Sequence, residues 1–179
     1  MRLFLDACIL FPTVLREILL GVAGQGGFVP LNSPRVLEEW ARAAARHGPE
    51  AESIARAEIA LMRVNWAAEE VAAPAGAEES FSLPDRDDRH VLAAAIEGGA
   101  EAIVTANLRD FPGRTLARFG MMVRTPDSVL TELLAEGRVP VAETIEAVRV
   151  RTEQISGRTQ PMRPLLKRAG LPRLGKALG

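Results

Sequence analysis

Apolar positions along this chain alternate between short continuous runs and runs spaced three or four apart. Arg2 to Leu5 is a short apolar run closed by Asp6 and reads as a buried strand. Past Phe11-Pro12-Thr13, the residues Val14, Leu15, Ile18, Leu19 and Val22 recur at helical spacing. Pro12 suits the start of that helix, and Gly21, Gly24, Gly26 and Gly27 its end. Phe28 to Leu31 is a second short strand. Ser33-Pro34 then opens a helix, with Ser33 as N-cap, Pro34 in the first turn, and Val36, Leu37, Trp40, Ala43 and Ala44 as its apolar face. Gly48-Pro49 breaks the pattern, and residues 50–63 form a further helix. Residues 69–73 read as a weak strand and 74–84 as a polar loop. An aspartate-led helix follows over about 86–97, then a strand over 102–105 and a helical turn near 115–118. A strand over 121–124 precedes a helix over 126–135 capped by Thr125. Strands alternating with helices predict βαβ units and a mainly parallel sheet, an α/β fold. Beyond Pro140 the pattern is helical only, interrupted by Gly157, Pro161, Pro164, Gly170 and Pro172. The expected organisation is one α/β domain over residues 1–136 and a helical appendage over 137–179.

Composition sharpens this picture in three places. With 179 residues, 47% of them apolar, the chain can bury a sizeable core. A net charge of −1 conceals an asymmetry, because residues 149–179 hold eight basic residues against one acid, Glu153. A basic tail beside an acidic body fits contact with nucleic acid or an acidic partner, or a merely solvated helical face. The single cysteine, Cys8, excludes an internal disulfide framework and a cysteine-rich zinc site. No apolar run is long enough to span a bilayer, and Asp6 interrupts the apolar N-terminus, so neither a membrane protein nor a signal peptide is expected. A cytoplasmic protein is.

The candidate chemistry is carboxylate. Asp6 ends the first strand, where a charge in an apolar run needs compensation, or else it caps the next helix. Glu39 borders the apolar face of its helix beside Trp40, while Glu38 points further toward solvent. Asp85, Asp87 and Asp88 crowd the start of a helix. One or two of them suit the helix dipole, but three together repel unless a cation is near. Asp110 follows a strand, with Asn107 three residues earlier. These acids come from separate strand and helix ends, and the carboxyl edge of an open α/β sheet is where ligands bind. Oxygen ligands of this kind suit Mg²⁺ or Mn²⁺, which activate water and offset charge in phosphodiester cleavage. Thr105 or Asn107 would orient a ligand or the water. Other signals carry less. The Gly24-Gln25-Gly26-Gly27 stretch lacks the lysine of a phosphate loop. Ser80 and Ser82 show no nucleophile elbow. His90 is expected as a hydrogen-bonded or exposed helix residue rather than a ligand.

The segments LDACILFP (5–12), LEEW (37–40), LPDRDDRHVLAAAIEGGAEAIVT (83–105) and NLRDFPG (107–113) resemble a PIN domain, the metal-dependent ribonuclease fold of VapC-type toxins. The resemblance covers roughly residues 1–134 and implies a three-layer fold with helices flanking the sheet. It implies four acidic site residues, Asp6, Glu39, Asp88 and Asp110, holding Mg²⁺ or Mn²⁺. Thr105 and Asn107 match its usual threonine and polar positions, and Asp85 supports the negative field. Cys8 stands where the family often has Asn or Ser. The resemblance further implies RNA as substrate, a small antitoxin partner and a homodimer. Arg16 and Arg109 are candidate contacts to RNA, and the basic tail a further source of phosphate affinity. Two other functions fit the same residues: a housekeeping RNA-processing nuclease, and a non-catalytic binding module that retains the fold.

Overall fold

In the computed structural model, which describes residues 1–65 and 69–179, five strands form one sheet flanked by helices. The strands are β1 (Arg2–Leu5), β2 (Val29–Asn32), β3 (Glu69–Glu70), β4 (Ala102–Val104) and β5 (Met122–Arg124). Their order is β3-β2-β1-β4-β5, and every pairing is parallel. The chain walks from β1 outward to β3, then returns to the other side of β1 with β4. The topological switch point therefore lies between β1 and β4, and a ligand crevice is expected at their carboxyl ends.

Buried apolar runs make the central strands. Leu3, Phe4, Leu5, Ile103 and Val104 are all essentially inaccessible, as expected for a parallel sheet covered on both faces. Pro30 sits inside β2 without breaking it. Val29 donates to Met1 on the β1 side, so the missing N–H of Pro30 faces β3. That strand pairs only with Leu31 and Asn32.

The helices are α1 (Ala7–Leu10), α2 (Thr13–Gly24), α3 (Pro34–Ala45), α4 (Pro49–Asn65), α5 (Arg89–Glu97), α6 (Gly113–Ala117), α7 (Pro126–Glu136), α8 (Val141–Ser156), α9 (Met162–Arg168) and α10 (Pro172–Ala177). Two predicted caps form: Ser33 accepts from Val36 N–H at 3.2 Å and Thr125 from Ser128 N–H at 3.1 Å. Two boundaries differ from expectation. Helix α2 runs through Gly21, which serves packing rather than termination: a Cβ there would lie 2.7 Å from Thr144 Cγ2 of α8. Helix α5 starts at Arg89 instead of near Arg86, because Asp85 Oδ1 accepts from Asp87 N–H at 2.9 Å and holds a turn before the helix. A 3₁₀ turn also forms inside the expected loop, at Ala77–Ser80.

The C-terminal helices share the main core. Val141, Ile145, Val148, Leu166, Leu171 and Leu174 are buried within the same apolar cluster as the sheet residues. Asp127, near the start of α7, is buried and accepts from Arg173 N–H at 2.9 Å and Leu174 N–H at 3.0 Å. Those two N–H groups lie at the start of α10, so Asp127 fastens the last helix to the body. Among the described residues, no helix is long and apolar enough to cross a membrane.

Candidate active site

Because the sheet is parallel, Asp6 after β1 and the loop after β4 emerge at one edge, on either side of the switch point. Asp6 stands at the N-cap position of α1 yet makes no capping bond. Its carboxylate turns toward β4, where Thr105 Oγ1 donates to Asp6 Oδ2 at 2.7 Å and the Cys8 thiol donates to the same oxygen at 3.0 Å. Thr105 is fully buried, and its hydroxyl accepts from Asn107 N–H at 3.0 Å. The hydroxyl is therefore locked in direction, with its proton on Asp6. Asn107 Nδ2 in turn donates to Asp110 Oδ2. Both supporting residues thus fix a carboxylate in place.

Cys8, two residues past Asp6, supplies a donor to it. It is open to solvent on one side but crowded by protein on the other. Desolvation first, then the Asp6 charge, push its thiol up to about 12. It stays protonated at neutral pH and is no nucleophile, since the thiolate is the reactive form.

Asp88 repeats the arrangement of Asp6. It is the N-cap residue of α5, and again no capping bond forms. Its carboxyl is held up to about 7, by desolvation first, then by the charges of Asp6, Asp110 and Asp85, with His90 opposing the rise. The charges of Asp6 and Asp110, from two other segments, thus both reach Asp88. Asp85 contributes to that field from an exposed turn.

Glu39, on α3, reaches the first turn of α5, two residues past Asp88, through His90. Arg35 Nε lies 3.5 Å from Glu39 Oε1 and His90 Nε2 lies 2.8 Å from it. That short contact falls outside hydrogen-bond geometry, and neither ring nitrogen has another hydrogen-bond partner among the described residues. His90 is buried, so of the two expected placements the exposed one does not hold, and its Nε2 lies against a carboxylate oxygen. The signal was its place at the head of the apolar run Val91 to Ala95. Glu38, by contrast, pairs with Arg42 and Arg56 on the surface. Among the described residues, no three Asp, Glu, His or Cys side chains converge tightly enough to enclose one ion.

Arg16 does not present its charge to an RNA backbone. Its guanidinium is buried, donates to the Leu10 and Phe11 carbonyls, pairs with Glu58 and lies 4.6 Å over the Trp40 ring. It is a core cation, held by partners distant in sequence. Arg109 is exposed beside Asp110, with no ion pair among the described residues.

Aspartates gathered at the switch point of a five-stranded parallel sheet define an α/β fold with a polar site at its carboxyl edge. The PIN domain family matches residues 2–109, more than half of the chain, and the chain belongs to that family. The match ends one residue before Asp110. A relative named "Putative ribonuclease VapC50", from Mycobacterium tuberculosis (strain ATCC 25618 / H37Rv), is 35% identical over 79 residues, covering 38% of this chain. The aligned stretch spans 47% of the relative, about half its length. No solved structure matches the chain significantly.

Proposed function

We propose that this protein is a divalent-metal-dependent endoribonuclease that hydrolyses RNA phosphodiester bonds, acting as the VapC-like toxin of a toxin–antitoxin pair. The observation that carries the proposal is the Asp6–Asp88–Asp110 cluster, where Asp88 is held up to about 7 by burial and its acidic neighbours. Such a cluster is short of positive charge, and its all-oxygen donor set fits Mg²⁺ or Mn²⁺. Mg²⁺ commonly keeps several waters and takes only one or two carboxylates directly, so the spread of the trio is compatible with it. Asp6, Asp88 and Asp110 would hold the ion, with Glu39 completing the set on the side of α3. Bound there, the ion lowers the pKa of a coordinated water and offsets charge on the phosphate.

The chain's own contribution is placement. Thr105 and Cys8 aim one oxygen of Asp6, leaving Oδ1 for a ligand. Asn107 does the same for Asp110 by engaging Oδ2. Asp88, freed from capping α5, keeps its carboxylate for the crevice. Orienting partners of this kind typically change metal affinity or activity 10- to 100-fold when removed. The similarity to the VapC50 relative supports RNA as substrate; a small antitoxin partner, a homodimer and a cytoplasmic setting complete the proposed reading.

Purified protein incubated with RNA and Mn²⁺ should cleave internally, with chelator or Asp88→Asn abolishing the products. Wild-type protein that neither binds Mn²⁺ nor cuts RNA would replace this reading with a binding module. Induced expression should arrest growth, and Asp6→Asn should relieve the arrest. Cleavage without arrest would favour a housekeeping nuclease.

A further inference from the structure

Residues 158–179 hold six cations, Arg158, Arg163, Lys167, Arg168, Arg173 and Lys176, and no acid. All six are exposed, and none forms an ion pair among the described residues. Elsewhere the chain pairs its arginines readily, as in Arg2–Glu69, Arg56–Glu38 and Arg124–Glu132. Arg46, Arg86, Arg89, Arg109, Arg114 and Arg118 are also without an ion pair among the described residues, but the hairpin formed by α9 and α10 gathers five cations with no acid in its own sequence.

It is also rigid and well placed. Leu165, Leu166, Leu171 and Leu174 are buried beneath it. The two helices approach so closely that a Cβ on Gly175 would lie 3.3 Å from Leu166 Cβ. Arg163 and Lys167 fall four residues apart on α9, and Arg173 and Lys176 three apart on α10, so each pair shares one side of its helix. Asp127 ties the start of α10 to a point three residues past the end of β5, on the same sheet edge as the acids. Thr105, whose hydroxyl holds Asp6, donates its N–H to the Arg124 carbonyl at 3.0 Å. From Arg124 to Asp127 the chain reaches at most about 10 Å. The start of α10 is therefore tied by a short bonded path to the sheet edge that carries the acids.

We propose that the α9–α10 hairpin is a docking surface for the phosphate backbone of RNA, holding the strand that enters the crevice. RNA as the occupant rests on the nuclease reading above. The acid trio repels a polyanion, so a strand that reaches it needs cations flanking the crevice. Exposed, unpaired Arg and Lys on a fixed scaffold give that attraction without reading sequence.

The test uses the full chain in chelator, where no cleavage occurs, and a short fluorescent single-stranded RNA read by anisotropy across a salt series. Combining Arg163→Gln, Lys167→Gln, Arg173→Gln and Lys176→Gln should weaken binding on the order of 10²-fold at about 0.1 M salt, and flatten the log–log salt slope by about 3. These side chains are exposed, so an unchanged circular dichroism spectrum confirms that the variant is folded. Equal affinity and an unchanged slope would overturn the proposal. So would a labelled polyglutamate that binds wild type as tightly as RNA and is lost equally in the variant, which would make the surface one for an acidic protein. The two readings separate cleanly. Metal-dependent cleavage with no hairpin effect on binding removes the docking surface and keeps the nuclease. Hairpin-dependent RNA binding without metal-dependent cleavage keeps the surface and removes the nuclease.

Discussion

Two ends of the same sheet edge use aspartate at helix starts in opposite ways. At the joint with the C-terminal hairpin, Asp127 is buried and spends both oxygens on backbone N–H groups of α10, at 2.9 and 3.0 Å. Beside it, Thr125 caps α7. In the crevice, Asp6 and Asp88 occupy N-cap positions and cap nothing. Asp6 takes side-chain donors on one oxygen, and Asp88 is left among like charges. A cap lowers the free energy of the fold by satisfying an orphan donor. Declining that bond leaves charge available to something outside the chain. The joint is built for stability, and the crevice gives stability up.

The comparison predicts that mutations in the crevice act on cleavage and those at the joint on stability, and the largest effect lies in the crevice. Asp6→Asn should reduce Mn²⁺-dependent RNA cleavage by about 10³-fold or more, roughly 4 kcal/mol of barrier; an active variant would show that the crevice is not the reaction site. At the joint, Asp127→Ala orphans two N–H groups and should destabilise by about 3 kcal/mol, lowering the melting temperature by roughly 6–12 °C. A neutral result in thermal unfolding would remove the contrast. Thr105→Val should cut Mn²⁺ affinity about 10-fold by releasing Asp6, measured by titration, with a much smaller change in unfolding. Thr125→Ala is the smallest case, costing about 1 kcal/mol as a lost cap and leaving Mn²⁺ affinity as it was.

Local pattern carried much of this architecture. The run Arg2 to Leu5 becomes β1 with the expected bounds, and Ser33 and Thr125 cap the helices that their sequences announce. The acids at strand and helix ends were visible because few other residues there could carry chemistry. What was not legible depends on contacts between distant segments. Arg16 looks like a surface cation in its own helix, and only Trp40 and Glu58, brought across by α3 and α4, make it a core residue. Gly21 looks like a helix end until Thr144 of α8 packs against it. Glu39 has the right spacing beside Trp40, but its contact with His90 joins α3 to α5 and shows in neither helix's own pattern. The tail shows its charge in the sequence, but its attachment through Asp127 does not appear in any local pattern.

Asp88 decides the central claim through a pH-dependent stability. Its folded-state pKa of about 7 lies above the ordinary value near 3.9 that it takes when unfolded. Between those values the folded protein binds more protons than the unfolded one, so metal-free stability falls as pH rises through that window. The direct measurement is thermal unfolding of wild type and Asp88→Asn above about pH 7, with and without Mn²⁺. The account predicts that metal-free Asp88→Asn melts above wild type, and that Mn²⁺ raises wild type but not the variant. An Asp88→Asn protein that melts at or below wild type throughout, with Mn²⁺ shifting neither, would contradict it.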